Sequence, residues 1–278
     1  MKSVTSFNFK EIEGYRFGYS PLGKPKLLVY IYFIDGLLID TGQRTMQKEV
    51  LNTLKPLPVE QIFITHHHED HTGNIDVLKK QFSCPVYSSD LCTELMKAPP
   101  KISFAQKMVW GDREAYEKLQ PIKEEIRTEH FRFKIIPIPG HATDMVALYE
   151  PDKKWLFSAD LFINTYIGYF LQNESIVDQI NSIHSVLALD FEVMLCAHRP
   201  IVENANVKLK KKLDFLTSLY EQVAVLNDKG FPAKKIFQQL KLKEDWFIRL
   251  LSGGKLSKMN MVKSVVHDLE VGKQIVNC

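Results

Sequence analysis

Apolar residues along the first two hundred positions come in short runs, and beyond them in longer helical stripes. Leu27 to Ile34 is almost wholly apolar and aromatic, Asp35-Gly36 is a hairpin signal, and Leu37-Leu38-Ile39-Asp40 returns. After Thr41-Gly42 a helical pattern covers Arg44 to Leu54 and stops at Pro56 and Pro58. Gln61-Ile62-Phe63-Ile64 predicts a short buried strand, and Ile75, Leu78 and Phe82 mark one face of a helix. Pro85-Val86-Tyr87 predicts a strand and Asp90 to Lys97 a helix. Residues 98–129 fit no period well: Pro99-Pro100 breaks the chain and 104–118 is weakly helical. A long connection of this kind is expected to overhang a functional site. Phe131 to Ile138 reads as a strand, Val146–Tyr149 and Trp155–Ser158 as a hairpin about Pro151-Asp152, Glu174 to Ala188 as a helix, and Val193 to Cys196 as a strand. After Pro200 the pattern changes. Leu209, Leu213, Leu216, Tyr220 and Val223 form one face of a long helix. Gly230 ends it, Pro232 opens a short helix, and two further helical pieces follow at about Glu244–Leu251 and Ser257–Leu269.

One polar stretch interrupts this pattern where a strand hands over to a helix. It is Thr65-His66-His67-His68-Glu69-Asp70-His71-Thr72-Gly73, and six of its nine residues can bind a metal. In extended backbone His66 and His68 point the same way and can reach one ion at about 2.0–2.1 Å. Asp70 and His71, after the chain begins to turn, can face a second. His67 should then point away. Gly73 is expected to allow a sharp exit, and Thr72 or Asn74 to cap the next helix. Loops at the carboxyl ends of strands are the usual ligand sites of α/β sheets.

The series His66-x-His68-x-Asp70-His71 resembles the signature of the metallo-β-lactamase-fold superfamily. Pro139-Gly140-His141-Ala142-Thr143 is similar to its glycine-histidine turn, Phe157-Ser158-Ala159-Asp160 to the strand ending in a bridging aspartate, and Leu195-Cys196-Ala197-His198 to the strand ending in the last histidine. The resemblance covers roughly the first two hundred residues. It implies an α+β four-layer αβ/βα sandwich with metals at the edge between the sheets. It also implies a ligand set: His66, His68 and His141 on one ion, Asp70, His71 and His198 on the other, and Asp160 bridging, with Asp70 able to orient the nucleophile. Two divalent ions would share and activate a water. Zinc suits the donors best, and iron or manganese is compatible with a mixed nitrogen and oxygen set. The family usually has glycine where Ala159 stands; alanine is small, so little change is expected beyond the local turn itself.

Charge adds a division. The net charge is +3 over 278 residues, but residues 1–203 hold 22 basic and 26 acidic side chains, while 204–278 hold 14 and 7. The expected organisation is a catalytic domain at 1–203 followed by a small, basic, helical appendage at 204–278. Lys208, Lys210, Lys211 and Lys212 crowd the first turns of its long helix and read as a solvated face. The four cysteines, Cys84, Cys92, Cys196 and Cys278, lack zinc-ribbon spacing, and Cys196 reads as a buried structural thiol. The start of the chain shows no signal-peptide pattern and no run spans a bilayer, so the expectation is a cytoplasmic protein without membrane partners.

Two candidates complete the site. Tyr166 could donate a hydrogen bond to an oxyanion, and Arg199 could bind an anionic substrate. The favoured function is hydrolysis of a small ester, thioester or lactone, because His66-His67-His68 and Gly73-Asn74 resemble the glyoxalase II branch. An alternative is cleavage of single-stranded RNA. His198-Arg199-Pro200-Ile201-Val202, followed by Asn204-Ala205, resembles the end-of-core segment of lactamase-like endoribonucleases, and the basic tail could bind phosphate. A non-hydrolytic, iron-dependent sulfur dioxygenase is the third reading. A homodimer is compatible with the long apolar helix face.

Overall fold

The computed structural model describes residues 1–21, 23–25, 28–200 and 203–276. Leu27, Ile201, Val202 and Cys278 therefore lie outside the described residues. The chain opens with strands β1 (Lys2–Phe9), β2 (Ile12–Tyr19), β3 (Leu28–Ile34) and β4 (Leu37–Ile39). Asp35 and Gly36 both have positive φ, as a two-residue hairpin of this hand requires. A 3-10 turn at Arg44–Met46 leads into α1 (Gln47–Leu54), then β5 (Gln61–Ile64), the short α2 (Glu69–Thr72), α3 (Ile75–Phe82), β6 (Val86–Ser88) and α4 (Asp90–Lys97). The aperiodic segment 98–129 holds α5 (Phe104–Trp110), β7 (Gln120–Pro121) and β8 (Glu125–Arg127). Next come β9 (Arg132–Pro137), β10 (Val146–Glu150), β11 (Trp155–Ala159), α6 (Ile176–Leu187) and β12 (Val193–Cys196). Four helices end the chain: α7 (Ala205–Asp228), α8 (Ala233–Gln239), α9 (Trp246–Leu251) and α10 (Lys258–Glu270).

The strands form two sheets, β1-β2-β3-β4-β5-β6-β7 and β12-β11-β10-β9-β8. Their side chains sort by the two-residue period of a strand. Tyr32 and Ile34, Leu37 and Ile39, Phe63, Trp155 and Phe157, and Val193 and Leu195 all enter one cluster between the sheets. The alternate residues Ile31, Phe33, Leu38, Ile62 and Ile64 face outward and pack with residues of α1, α3 and α4. On the other sheet Ala147, Tyr149, Leu156 and Met194 face outward, into a cluster shared with α6, α7, α8 and α10. The result is helices, sheet, sheet, helices: the αβ/βα sandwich. The C-terminal helices complete its fourth layer, with Leu209, Leu213, Leu216, Val223 and Val265 in the same cluster as the sheet.

Two local expectations need correction. Asn74 precedes α3 but does not cap it; its amide donates instead to the carbonyls of Thr41, Gly42 and Gln43. Gly73 sits in ordinary helical backbone. Glycine is needed there because a Cβ would lie 2.6 Å from Arg44 N and 2.8 Å from the carbonyls of Glu69 and Gly42.

No helix among the described residues is long and apolar enough to cross a membrane. Hydrogen bonds join the two sheets just past the carboxyl ends of β5 and β12. There Val146 N donates to Thr65 O, Tyr30 N to Ala197 O, and the Tyr32 hydroxyl to Cys196 O.

Candidate metal centre

All seven residues expected to bind metal converge at that edge. The nearest donor atoms of His66, His68 and His141 lie within 4.8 Å of one another, as do those of Asp70, His71, Asp160 and His198. Asp160 Oδ2 stands between the groups, 3.3 Å from His141 Nε2, 3.2 Å from His198 Nε2 and 3.5 Å from His71 Nε2. His198 Nε2 is 3.4 Å from Asp70 Oδ2, and His141 Nε2 is 3.1 Å from His68 Nδ1.

The backbone explains the aim of each ring. His68 is extended and starts the single turn of α2, which rotates Asp70 and His71 towards the second group. Gly140 has φ +133, and a Cβ there would meet Gln179 N at 2.6 Å, so only glycine lets the turn lie against the start of α6 and present His141. Ala159 has φ +44, a conformation that costs an alanine about 1 kcal/mol and glycine almost nothing. Alanine is small enough to take this left-handed turn, which ends β11 so that Asp160 leaves the sheet.

Outer partners select the ring nitrogens. His198 Nδ1 is 2.7 Å from the carbonyl of Leu28, which can only accept, so Nδ1 carries the proton and Nε2 offers its lone pair inward. His71 Nδ1 is 2.7 Å from Asp40 Oδ2 and is fixed in the same sense. The Thr65 hydroxyl donates to Asp40 and leaves its oxygen to accept from His66 Nδ1 at 3.1 Å. Asp40, itself in left-handed backbone at φ +64, was missed as a site residue. Asp40-Thr41-Gly42 reads in sequence as a strand ending in a turn, and only proximity to His71 reveals its role.

The electrostatics show what the site lacks. Burial, with neighbouring imidazoles, drives His66 and His68 well below the ordinary histidine value. Burial also opposes charge on His71, yet the carboxylates of Asp40, Asp160 and Asp70 prevail and hold it well above that value. Against burial, Glu174 and Asp160 push His141 up to about 10, and Asp160 and Asp70 raise His198. The imidazoles of His198, His71 and His141 overcome burial to draw the Asp160 carboxyl well below its usual range. His66 Nε2, His71 Nε2 and Asp160 Oδ1 are buried without a hydrogen-bond partner. Buried polar atoms are normally paired. Three orphans pointing into one nest of imidazole and carboxylate donors fit divalent cations, which would replace the protons these carboxylates now hold in place.

His67 turns away from the centre, as alternation requires. Its Nδ1 lies 2.7 Å from Asp144 Oδ1 and its backbone N–H donates to the same carboxylate. The segment 98–129 does overhang the site. Trp110 packs 6.2 Å, centroid to centroid, from the His198 ring, and Gln106 donates to Glu69. Arg113, buried, donates to His67 O and Pro100 O and lies 3.4 Å from Glu69 Oε2. These residues carried no sequence signal, since a lone arginine in an irregular segment is ordinarily a surface charge. Beside His68 the overhang, the metal loop, the stretch 171–173 and Lys255 line an open cleft of about 390 Å³.

Neither Tyr166 nor Arg199 joins the donor cluster. Tyr166 is 70% exposed, edge-on to Phe215, in a separate groove along α7. Arg199 is exposed and donates to Asn164 Oδ1. Cys196 is buried, its thiol donating to Phe162 O, and burial raises it to about 11.

Fold and site together define a metal-dependent hydrolase. The chain belongs to the metallo-beta-lactamase superfamily, whose family model matches residues 25–211. It is 26% identical over 239 residues to a hydroxyacylglutathione hydrolase of Wigglesworthia glossinidia brevipalpis, spanning 76% of this chain and 85% of that one. It is 28% identical to a hydroxyacylglutathione hydrolase of Legionella pneumophila (strain Corby) over 53% of this chain and about half, 51%, of that enzyme. Among solved structures, a metallo-beta-lactamase family protein of Thermus thermophilus superposes with a TM-score of 0.65 at 15% identity. That match covers 98% of this chain and 94% of the other, so the shared fold extends through the C-terminal helices.

Proposed function

We propose that this protein hydrolyses a small thioester, ester or lactone with two divalent ions, zinc in our reading. His66, His68 and His141 would hold one ion, Asp70, His71 and His198 the other, and Asp160 both. When bound, such ions lower the pKa of water towards neutrality and offset negative charge growing on the substrate oxygen. The chain's residues do the rest. Asp40, Thr65 and the Leu28 carbonyl hold His71, His66 and His198 in the tautomers that leave Nε2 free. Asp70 Oδ2 is able to accept a hydrogen bond from the attacking water and so orient it. Trp110 and the overhang restrict solvent on one side. The single observation that carries the proposal is the convergence of seven donors, three of their atoms buried and unpartnered.

Acyl chemistry is favoured over RNA by the relatives' names, and the open cleft beside His68 has room for a small molecule. Lys101 and Lys255 stand at that cleft. The division into a catalytic region 1–203 and a basic helical region 204–278 is retained as a proposal about function, the latter supporting the outer face. Three buried free cysteines accord with a reducing cytoplasm. The test is direct. Protein reconstituted with zinc should approach two equivalents by elemental analysis and turn over members of a thioester, ester and lactone panel. Cleavage of single-stranded RNA with no acyl turnover would reverse the choice, and failure to retain zinc would remove the basis of both.

A further inference from the structure

Lys212 stands on the buried face of α7, between Leu209 and Leu216, where the helical period calls for an apolar side chain. It is 2% exposed, so its ammonium does not reach solvent. An ammonium has three donors, but among the described residues this one makes a single hydrogen bond, from Nζ to Leu161 O at 2.5 Å. No carboxylate contacts it there; burial lowers it to about 8, against the more distant pull of Glu174, Cys196 and Asp160. A methionine or leucine would fill the same volume without the cost of desolvating a charge. The charge is therefore unexplained by packing.

Its one partner explains it. Leu161 follows Asp160, the residue that stands between the two ligand groups. The turn is in tension: Ala159 is left-handed, and the pairing of β11 with β12 shifts register between Phe157 and Ala159. Ala159, Leu161 and Phe162 pack in the apolar cluster shared with α7, and besides the bond from Lys212 other hydrogen bonds come from the turn's own sheet and loop. Leu161 N donates to Ser158 O at 2.9 Å, Ala197 N to Ala159 O at 2.9 Å, and the Cys196 thiol to Phe162 O. Three of these four are backbone or thiol bonds made within the sheet and its loop. Of these four, the bond from Lys212 is the one that reaches in from a separate layer.

We infer that Lys212 is a positioning residue: from the outer helix it fixes the carbonyl of Leu161 and so sets Asp160 to bridge the two ligand groups. The inference rests on the metal-centre reading above. It gives the C-terminal helix a role in the site that neither its composition nor its distance along the chain suggests. It also separates Lys212 from Lys208, Lys210 and Lys211, which are solvated.

The test uses the full chain with Lys212→Met, Lys212→Gln and Asp160→Ala. Each is titrated with zinc alone in competition with a chelator, loaded with cobalt(II) for its electronic spectrum, and melted metal-free. Loss of an outer-sphere partner typically costs 10- to 100-fold in metal affinity. Lys212→Met should lose zinc affinity by at least about tenfold and alter the cobalt spectrum, while its metal-free melting temperature is unchanged or higher. Lys212→Gln keeps a donor for Leu161 O and should fall between it and the natural protein. A purely structural lysine would lower the melting temperature and leave affinity and spectrum alone. Zinc uptake by the natural protein with unaltered affinity in Lys212→Met overturns this inference and spares the metal centre. No uptake by the natural protein overturns both. Failure of both lysine variants to fold would make Lys212 a core residue and overturn the inference as well.

Discussion

The two halves of the ligand set reach the same point by opposite routes. His66, His68, Asp70 and His71 lie within six residues, on the end of one strand and one turn of helix. His141, Asp160 and His198 come from three loops, each following a different strand of the second sheet. In the first half local backbone places the donors, and the rest of the protein only braces them, through Asp40 beneath His71 and Arg113 above His67. In the second half placement is tertiary throughout. His141 depends on a glycine packed against α6, Asp160 on a strained alanine turn, and His198 on a carbonyl of the opposite sheet. A contiguous cluster survives changes elsewhere in the fold, whereas a dispersed one is only as well placed as the layers beneath it.

The largest test of that contrast removes a layer. Truncation before Leu209 takes away Leu209, Leu213, Leu216 and Val223, all in one cluster with β10, β11 and β12. The truncated chain should fail to fold or should aggregate, as measured by circular dichroism and size exclusion; a soluble, zinc-binding core would show that the second half does not need its outer helices.

Next in size is a pair of single substitutions. Asp160→Ala should reduce kcat/KM by about a thousandfold, roughly 4 kcal/mol, because both groups lose a shared donor. His67→Ala should keep both metals and most of the activity, but leave the buried Asp144 Oδ1 without its imidazole partner. Its expected penalty is therefore in stability, about 1–3 kcal/mol in a denaturant melt. Equal loss of activity at the two positions, with folding intact, would place the register of the loop in error.

Arg113→Met probes the brace on the contiguous half. It leaves the buried Glu69 carboxylate, which burial and the nearby Asp70 charge already push upward, with Gln106 but no cation beside it. Removing one partner of a buried pair costs about 3–5 kcal/mol, and the first-half ligands should retain their metal if local backbone is sufficient. Loss of zinc in a variant that is still folded would show that the overhang, and not the loop alone, sets these ligands.

Proton competition gives a smaller, graded effect. His71 is held well above its ordinary value and His141 at about 10 in the metal-free protein, so at pH 7 both hold protons that metal must displace, and the upward shift of His198 acts in the same direction. Zinc affinity should rise with pH, about tenfold per unit for each proton released. The stability of the metal-free protein should do the opposite. The raised His141 contributes fully below its unfolded value near 6.5, and that contribution is lost as pH climbs towards about 10. Calorimetry in buffers of different ionisation enthalpy checks the first, and metal-free melts across that range the second. Smallest of all, changing the solvated Lys210 and Lys211 to Gln should alter acyl turnover less than about threefold, under 1 kcal/mol.

Much of this was legible without coordinates because it is written in short periods. Strand alternation and helical spacing located nearly every element of the sandwich, and donor spacing of two, four and five residues in one loop marked the centre. Those patterns need only the local geometry of a chain. The tertiary structure decided whatever depends on a partner far along the sequence. Asp40 is the carboxylate behind His71 only because β4 lies beside β5. Asn74 abandons its expected capping role because three carbonyls of another loop lie within reach. Tyr166, six residues after Asp160, faces a groove along α7, since proximity in sequence does not carry across the turn. Lys212, indistinguishable from its lysine neighbours in composition, is buried because helical rotation puts it, and not them, against the second sheet. Local sequence sets which way a backbone runs; which groups are buried, paired or orphaned is settled only when the layers close on one another.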